Sequence, residues 1–335
     1  MARTPEILRE DLREHPAVHA WRTTGPRRFE PEMIAVLKPW KRKKKSGVYR
    51  LAGVGPGGSP VIAKRCLIRT AAVERAIYEK FLPGLPLPTL GYYGCVEDAD
   101  GLSWWLFLEE ASGDRYSPLN PEHRALAARW LATVHDAGVD QGWEKRLPER
   151  SPERYLQILR TCRAKAREHL PDPTLPAACA AVLATVSEQC DVLEAHWHEL
   201  EKTFEGLPRT LLHGDFVAKN VRVRPGVRPA LQVFDWEFAG WGVPSTDLAQ
   251  FIADSVSPDL AVYRSCVERW PGIAEDGRVL KLAACGSFFR MLDDMAWDCS
   301  SLRLGRPEAS SNPIACLAIY SRRMAQALSA AGWTG

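Results

Sequence analysis

The segment His213-Gly214-Asp215-Phe216-Val217-Ala218-Lys219-Asn220, followed by Phe234-Asp235-Trp236-Glu237, carries three oxygen-bearing side chains at spaced positions: Asp215, Asn220 and Asp235. Phosphoryl transfer calls for that inventory. One carboxylate orients and deprotonates an attacking hydroxyl, while an amide oxygen and a second carboxylate hold Mg²⁺ on the phosphates. If residues 211–215 and 221–223 flank a tight loop and 231–234 pairs back, the three side chains converge at one end of a hairpin. Gly214 leaves room for a sharp bend before the acid. The plainer alternative is that Asp215 and Asn220 are only turn formers, because Asp, Asn and Gly favour turns for backbone reasons alone.

The elements around this segment divide the chain by texture. EMIAVLKPW, SGVYRLAG and SPVIAKRCL, from about residue 33, are short β-branched runs with the turn residues GVGPGGS between the last two. They predict an antiparallel sheet. TAAVERAIYEKFL, residues 70–82, has helical periodicity and is stopped by Pro83 and Gly84. LGYYGCVED and SWWLFLEEA then read as two more strands around an Asp-Ala-Asp-Gly turn. Ahead of them all, residues 3–15 read as an amphipathic opening helix, with Ile7 and Leu12 among charges. Beyond residue 115 the patterns PEHRALAARWLATVHDAG, SPERYLQILRTCRAKAREHL and PAACAAVLATVSEQCDVLEAHWHELEKTF are helical, and only the island 210–237 is strand-like. The expectation is an α+β chain: a small antiparallel β part with one main helix, then a large, mostly helical part.

Composition narrows the function classes. With 335 residues, 46% apolar and 25% charged, the chain has the make-up of a globular protein large enough for about two domains. The net charge of +3 hides a local excess, since Lys38, Lys41, Arg42, Lys43, Lys44 and Lys45 fall within one short stretch. A basic run that local argues against a general nucleic-acid binder. The charged N-terminus has no signal-peptide core and no apolar run is long enough to span a bilayer, so no membrane partner is expected. Nine scattered cysteines, with no CxxC pair, fit reduced thiols and a cytoplasmic location. His and Cys do not cluster at zinc-ligand spacing.

HGDxxxxN, the hydrophobic-Asp-Trp-Glu strand and Asp247-Leu248-Ala249, in that order, resemble the aminoglycoside phosphotransferase and choline kinase family over about residues 30–300. The resemblance implies a bilobal protein-kinase-like fold. Residues 1–109 would form an N-terminal nucleotide-binding lobe that includes the opening helix, 110–115 a hinge, and 116–335 a helical lobe with the catalytic loop and the acceptor site. It implies transfer of the γ-phosphate of ATP, with Mg²⁺, to a hydroxyl of a small molecule of the amino sugar, antibiotic or amino alcohol type. Asp215 then corresponds to the catalytic acid/base, and Asn220 and Asp235 to the Mg²⁺ ligands. His213 and Asp247 are expected to brace the loop. Glu237 either reaches the metal through water or is a solvated loop carboxylate.

The same resemblance assigns a nucleotide side. Lys64 in PVIAKRC would meet the α- and β-phosphates from a strand, and Glu74 on the next helix would pair with it. Glu79 competes, but the spacing of Glu74 to Tyr78 resembles the family pattern. Arg65 should point to the opposite face of the strand. Gly53-Val54-Gly55-Pro56-Gly57-Gly58 looks like a dinucleotide fingerprint, yet no helix follows it, so a hairpin turn is expected. Lys44, Lys45, Ser46 and Gly47 in KRKKKSGVYRL are the better phosphate-loop candidates. A solvated basic loop or a surface for an acidic partner are the alternatives. Glu109, Glu110 and Ala111 in LFLEEASGD would read the adenine edge through main-chain atoms, and His135 should be a packed, hydrogen-bonded core residue.

For the acceptor, the wall expected from the resemblance lies in 290–298, with Asp293, Asp294, Trp297 and Asp298 as candidate contacts. Carboxylates beside an indole suit a cation. The alternative is a surface helix with an Arg290–Asp294 pair. Two other functions share the motifs: a kinase acting on Ser or Thr of a peptide or protein, and an inactive nucleotide-binding scaffold. The intact set of Lys64, Glu74, Asp215, Asn220 and Asp235 argues against the scaffold. Only a short stretch separates Asp235 from Asp247 and no segment resembles a protein-kinase activation loop, which disfavours the peptide or protein acceptor and leaves it as an alternative.

Overall fold

Short β-branched and aromatic segments separated by Gly- and Pro-containing turns pair with strands close by in sequence, because short connections favour an antiparallel partner. In the computed structural model this yields β2 (Ile34–Lys38), β3 (Ser46–Leu51), β4 (Val61–Leu67), β5 (Tyr92–Glu97) and β6 (Ser103–Glu109). The structure describes residues 4–24, 30–40, 46–139, 142–252, 254–267, 270–273, 275 and 277–333. Two compact units result, Met1–Tyr116 with Lys219–Ala239, and Ser117–Ala218 with Gly240–Gly335.

The sheet of the first unit runs β1-β2-β3-β4-β6-β5, where β1 is Glu6–Leu8, and every pairing is antiparallel. Period-two alternation gives it two faces. Tyr49, Leu51, Val61, Ala63, Trp105 and Phe107 bury one face against α1 (Pro16–Arg22), whose Trp21 is fully enclosed. Val48, Ile62 and Lys64 take the other face. There α2 (Ile68–Ala76), continued by a wider turn over Ile77–Phe81, brings Glu74 to Lys64. The glycine-rich stretch is the turn between β3 and β4, as expected. A second small sheet, β11-β10-β7, completes the unit from β7 (Asp114–Arg115), β10 (Val221–Arg224) and β11 (Ala230–Val233).

The opening helix expected over 3–15 does not form. Glu6–Leu8 pairs with Val36–Ile34 instead, Leu12–Glu14 makes a 3-10 turn, and the helix starts at Pro16. The edge of β2 supplies backbone partners that a short isolated helix would have to find within itself. Pro is favoured at a first helical position, and the His15 ring accepts the Ala17 N–H at 3.2 Å as a cap.

The second unit is helical: α3 (Pro121–Gly138), α4 (Pro152–His169), α5 (Ala177–Ala195), α6 (Trp197–Phe204), α7 (Leu260–Cys266), α8 (Arg278–Cys299) and α9 (Pro307–Ala330). Asn120 and Ser151 cap α3 and α4 through their side chains. The single pattern read over 176–204 breaks at His196 into α5 and α6. A minor sheet joins β8 (Glu149–Arg150), β12 (Gly240–Gly242) and β9 (Thr210–Leu212). Gly286 of α8 touches the backbone at Ser245, where a Cβ would lie 1.9 Å from the Ser245 carbonyl oxygen, so only glycine lets α8 approach the 245–248 turn. Among the described residues no helix is long and apolar enough to cross a membrane.

Candidate active site

Lys64 lies on β4 with its ammonium buried and in direct contact with the carboxylates of Glu74 and Asp235; Glu237 Oε2 is 3.6 Å away. Burial opposes the ammonium, but Glu74, Asp235 and Glu237 outweigh it and hold the Lys64 pKa well above its ordinary value. Burial pushes the Glu74 carboxyl up to about 7 against the attraction of Lys64. Glu79, the competitor, is turned elsewhere, accepting from Arg75 Nε and Tyr92 OH, both at 2.9 Å. Arg65 sits on the opposite face, as alternation requires, 3.0 Å from Asp98 and 2.9 Å from Asp100 and over the Trp40 ring.

Asp235 follows β11 with φ +69°, a left-handed conformation that Asp tolerates better than most residues. The β10–β11 register pairs Val221 with Val233, and the Phe234 N–H donates to the Asn220 carbonyl at 3.1 Å, so Asn220 lies opposite Phe234, the residue before Asp235. Carboxylate oxygens of Glu74, Asp235 and Glu237 lie within 4.8 Å of one another. Glu74 Oε2 and Glu237 Oε2 are buried and accept no hydrogen bond among the described residues. Hard oxygen donors with unfilled acceptor capacity are what Mg²⁺ prefers, so these residues fit that ion.

A cleft of about 270 Å³ opens from this cluster. Lys64, Glu74 and Asp235 line it together with Leu37, Val48, Ile62, Leu90 and Leu108, the segment Glu109, Glu110 and Ala111, and Arg222 and Phe234. Leu108 faces the cleft while Phe107 is packed in the core beyond the sheet. The Glu109 and Glu110 side chains are engaged, with Glu109 accepting the Gly91 N–H at 2.9 Å and Glu110 pairing with Arg50 at 2.8 Å. Ser46 also lines the cleft, and its hydroxyl accepts from Lys38 Nζ at 2.7 Å. Gly47 abuts Trp40, where a Cβ would meet the Trp40 Cβ at 2.9 Å. Lys44 and Lys45 lie outside the described residues.

Asp215 belongs to the second unit, on the loop that leaves β9. Buried Asp247 ties that loop down by accepting the His213 N–H at 2.7 Å and the Gly214 N–H at 2.9 Å. His135 Nε2 is 3.4 Å from the same carboxylate, and His135 Nδ1 is 2.8 Å from the Tyr263 hydroxyl. Burial works against the Asp247 charge, yet His135 and the His213 N–H overcome it and keep its pKa below the ordinary value. His213 Nδ1 accepts the Asp215 N–H at 3.3 Å. These residues brace the loop, as the sequence led us to expect.

Arg290 of α8 meets the Asp215 loop, a contact that sequence reasoning missed. Its guanidinium donates to the Gly214 carbonyl at 2.8 Å and to Asp215 Oδ1 at 3.1 Å. The alternative Arg290–Asp294 pair is not formed, because one turn of α8 carries Arg290 toward the loop, where a buried carboxylate and a carbonyl offer a better-matched fork. A basic residue in the otherwise apolar run FFRML was the available signal.

Of the acceptor candidates, Asp293 accepts from Arg150 Nη1 at 2.9 and 3.1 Å and from the Tyr155 hydroxyl at 3.1 Å. Asp294 and Asp298 have no such partner among the described residues. Burial raises both, Asp298 to about 6 with help from Asp294. Trp297 is 54% exposed, an unusual degree for an indole.

The model of the phosphotransferase enzyme family matches residues 49–281. No significant match was found among curated protein sequences. Among solved structures, the GDP and kanamycin complex of APH(2")-IIia is similar with a TM-score of 0.60 at 14% identity, covering 91% of this chain and 98% of that one. Choline kinase from Cryptosporidium parvum Iowa II is similar with a TM-score of 0.56 at 10% identity, covering 89% and 91%. Spectinomycin phosphotransferase APH(9)-Ia, in complex with ADP and spectinomycin, follows at 0.55 and 12%, covering 88% and 93%. These likenesses establish the α+β protein-kinase-like fold that the motifs led us to expect.

Proposed function

Because the chain belongs to the phosphotransferase enzyme family, we propose that it moves the γ-phosphate of ATP, with Mg²⁺, to a hydroxyl of a small cationic molecule of the amino sugar, antibiotic or amino alcohol type. The observation that carries the nucleotide half is the cleft in which Lys64, Glu74 and Asp235 meet at one end and apolar residues with a main-chain edge at 109–111 line the rest. A triphosphate needs the first and a purine the second. Main-chain atoms of Glu109, Glu110 and Ala111 read the base. Lys64, steadied by Glu74, contacts the α- and β-phosphates, and the amides at Ser46 and Gly47 border them. Lys44 and Lys45, from the same loop, are assigned to these phosphates by sequence alone.

Asn220 and Asp235 would hold Mg²⁺, which supplies charge neutralisation on the phosphates. Asp215 accepts the proton of the acceptor hydroxyl as its oxygen bonds to the γ-phosphorus and the bond to the β–γ bridging oxygen breaks, releasing ADP. Asp294 and Asp298, with the exposed Trp297 indole alongside, are the groups suited to a cationic acceptor. Asp293 belongs to the same wall, where Arg150 and Tyr155 hold it.

The test is an ADP-release screen with Mg·ATP and Mg·GTP over amino sugars, amino alcohols, nucleosides, antibiotics and Ser/Thr peptides. A cationic small molecule should be the acceptor. Asp215→Asn should lower turnover by roughly 10²–10⁴-fold with nucleotide affinity kept. Turnover of peptides alone, or an active Asp215→Asn variant, would overturn the assignment.

A further inference from the structure

Arg222 brings a guanidinium into the cleft that none of the roles above uses. It stands on β10 opposite Gln232 of β11 and Arg115 of β7, so a like charge sits across the ladder. Its Nη1 donates to the carbonyls of Lys219 at 3.2 Å and Val221 at 2.9 Å. Among the described residues no carboxylate pairs with it. Its Cζ lies 5.5 Å from the centroid of the Phe234 ring. Burial, then Arg115, lowers its pKa below the ordinary arginine value. A half-buried cation with no counter-charge costs free energy unless a ligand supplies what the protein does not.

Its position selects which part of a nucleotide that is. Gln232, its ladder partner, accepts the Ser112 N–H at 2.9 Å, next to the 109–111 edge. Asp235, which contacts Lys64 of β4 at the phosphate end, lies three residues beyond Gln232, just past the end of β11. The apolar pair Val48 and Ile62 also lines the cleft, from β3 and β4 of the six-stranded sheet, whereas Arg222 comes from the β11-β10-β7 sheet. A guanidinium is planar and weakly hydrated, and it stacks on π-faces, whereas a lysine ammonium in the same place offers only a point charge.

We propose that Arg222 is the stacking floor of the nucleobase site, holding a purine between its guanidinium, backed by Phe234, and the Val48–Ile62 wall. This rests on reading the cleft as the nucleotide site. The base is then recognised by a cation–π stack, and purines, with the larger π-face, bind more tightly than pyrimidines.

Isothermal titration of the full chain with Mg·ATP, Mg·CTP and adenosine tests it, using wild type, Arg222→Met and Arg222→Lys, with thermal unfolding as the check on folding. Wild type should prefer ATP to CTP by about 10-fold, and both variants should bind ATP and adenosine about 10-fold more weakly, with the ATP-to-CTP preference reduced. Adenosine separates the base from the phosphates. Weakened ATP with unchanged adenosine would assign Arg222 to the phosphates and overturn the stack. Wild-type adenosine affinity in Arg222→Lys would do the same by showing that charge suffices. Should Arg222→Met fail to fold, Arg222→Lys, which keeps length and charge but loses the plane, decides alone. A wild type that binds no nucleotide sinks the nucleotide reading itself, an outcome distinct from unchanged affinity in the variants.

Discussion

Asp215 and Arg290 form one unit on which the proposed chemistry turns. The guanidinium grips both the Gly214 carbonyl and Asp215 Oδ1, so it sets the direction of the carboxylate and the pitch of the loop that presents it. Burial opposes the Arg290 charge, but Asp215 first, then Asp294 and Asp293, keep its pKa above the ordinary value. Arg290 is therefore a fixed cation and acts by positioning. Arg290→Met should lower kcat on the order of 10²-fold, because small misplacements of a reacting group cost that much, while the Kd for Mg·ATP stays unchanged. Arg290→Lys should restore part of the loss. Combined with Asp215→Asn it should add little, since the two act on one step. Additive losses in the double variant would show that Arg290 works independently of Asp215.

At the scale of elements, strands and helices with strong period were legible. The strand pair around Lys64 and the helix bearing Glu74 came from alternation and from punctuation by Gly and Pro, which are local properties of the chain. The N-terminal segment was not legible, because Glu6–Leu8 takes its conformation from β2, some thirty residues away, rather than from its own charge pattern. The helix that follows it, α1, is part of the core. Trp21 is fully enclosed, with its ring 5.1 Å from that of Phe107. Trp21→Ala should cost roughly 3–5 kcal/mol in denaturant unfolding. A loss below about 1 kcal/mol would mean that α1 is a detachable arm.

Across the whole molecule, the net charge of +3 resolves into local fields. In the first unit Lys64 neutralises a carboxylate cluster, and among the described residues no carboxylate pairs with Arg222. In the second, α8 carries Asp294 and Asp298 without cationic hydrogen-bond partners, while Tyr320 of α9 is pushed up to about 12 by burial and by those two carboxylates. Asp298, raised to about 6, is neutral below that pH and charged above it. If it meets a cationic acceptor, KM for that acceptor should fall several-fold as pH rises from about 5 to 7. Folding stability falls as pH rises from the ordinary carboxylate value of 3.8 to about 6, where the folded state still holds a proton that the unfolded chain has lost, and levels off above that. The KM profile should flatten in Asp298→Asn and for an uncharged acceptor. An unchanged profile in Asp298→Asn would remove this residue from the acceptor wall.

The sequence by itself determined what depends on short spacing: the Asp215, Asn220 and Asp235 motif, the strand and helix that carry Lys64 and Glu74, and the turn chemistry of the glycine-rich hairpin. Those are set by residue spacing and backbone geometry within about twenty residues. Only the tertiary structure decided which charges meet. Lys64 finds Asp235 across 171 residues, and Arg290 finds Asp215 across 75. Nothing in the local pattern around Arg290 distinguishes a partner one turn away from a loop 75 residues back. Burial and the competition among acceptors make that choice, and they exist only once the chain has closed on itself.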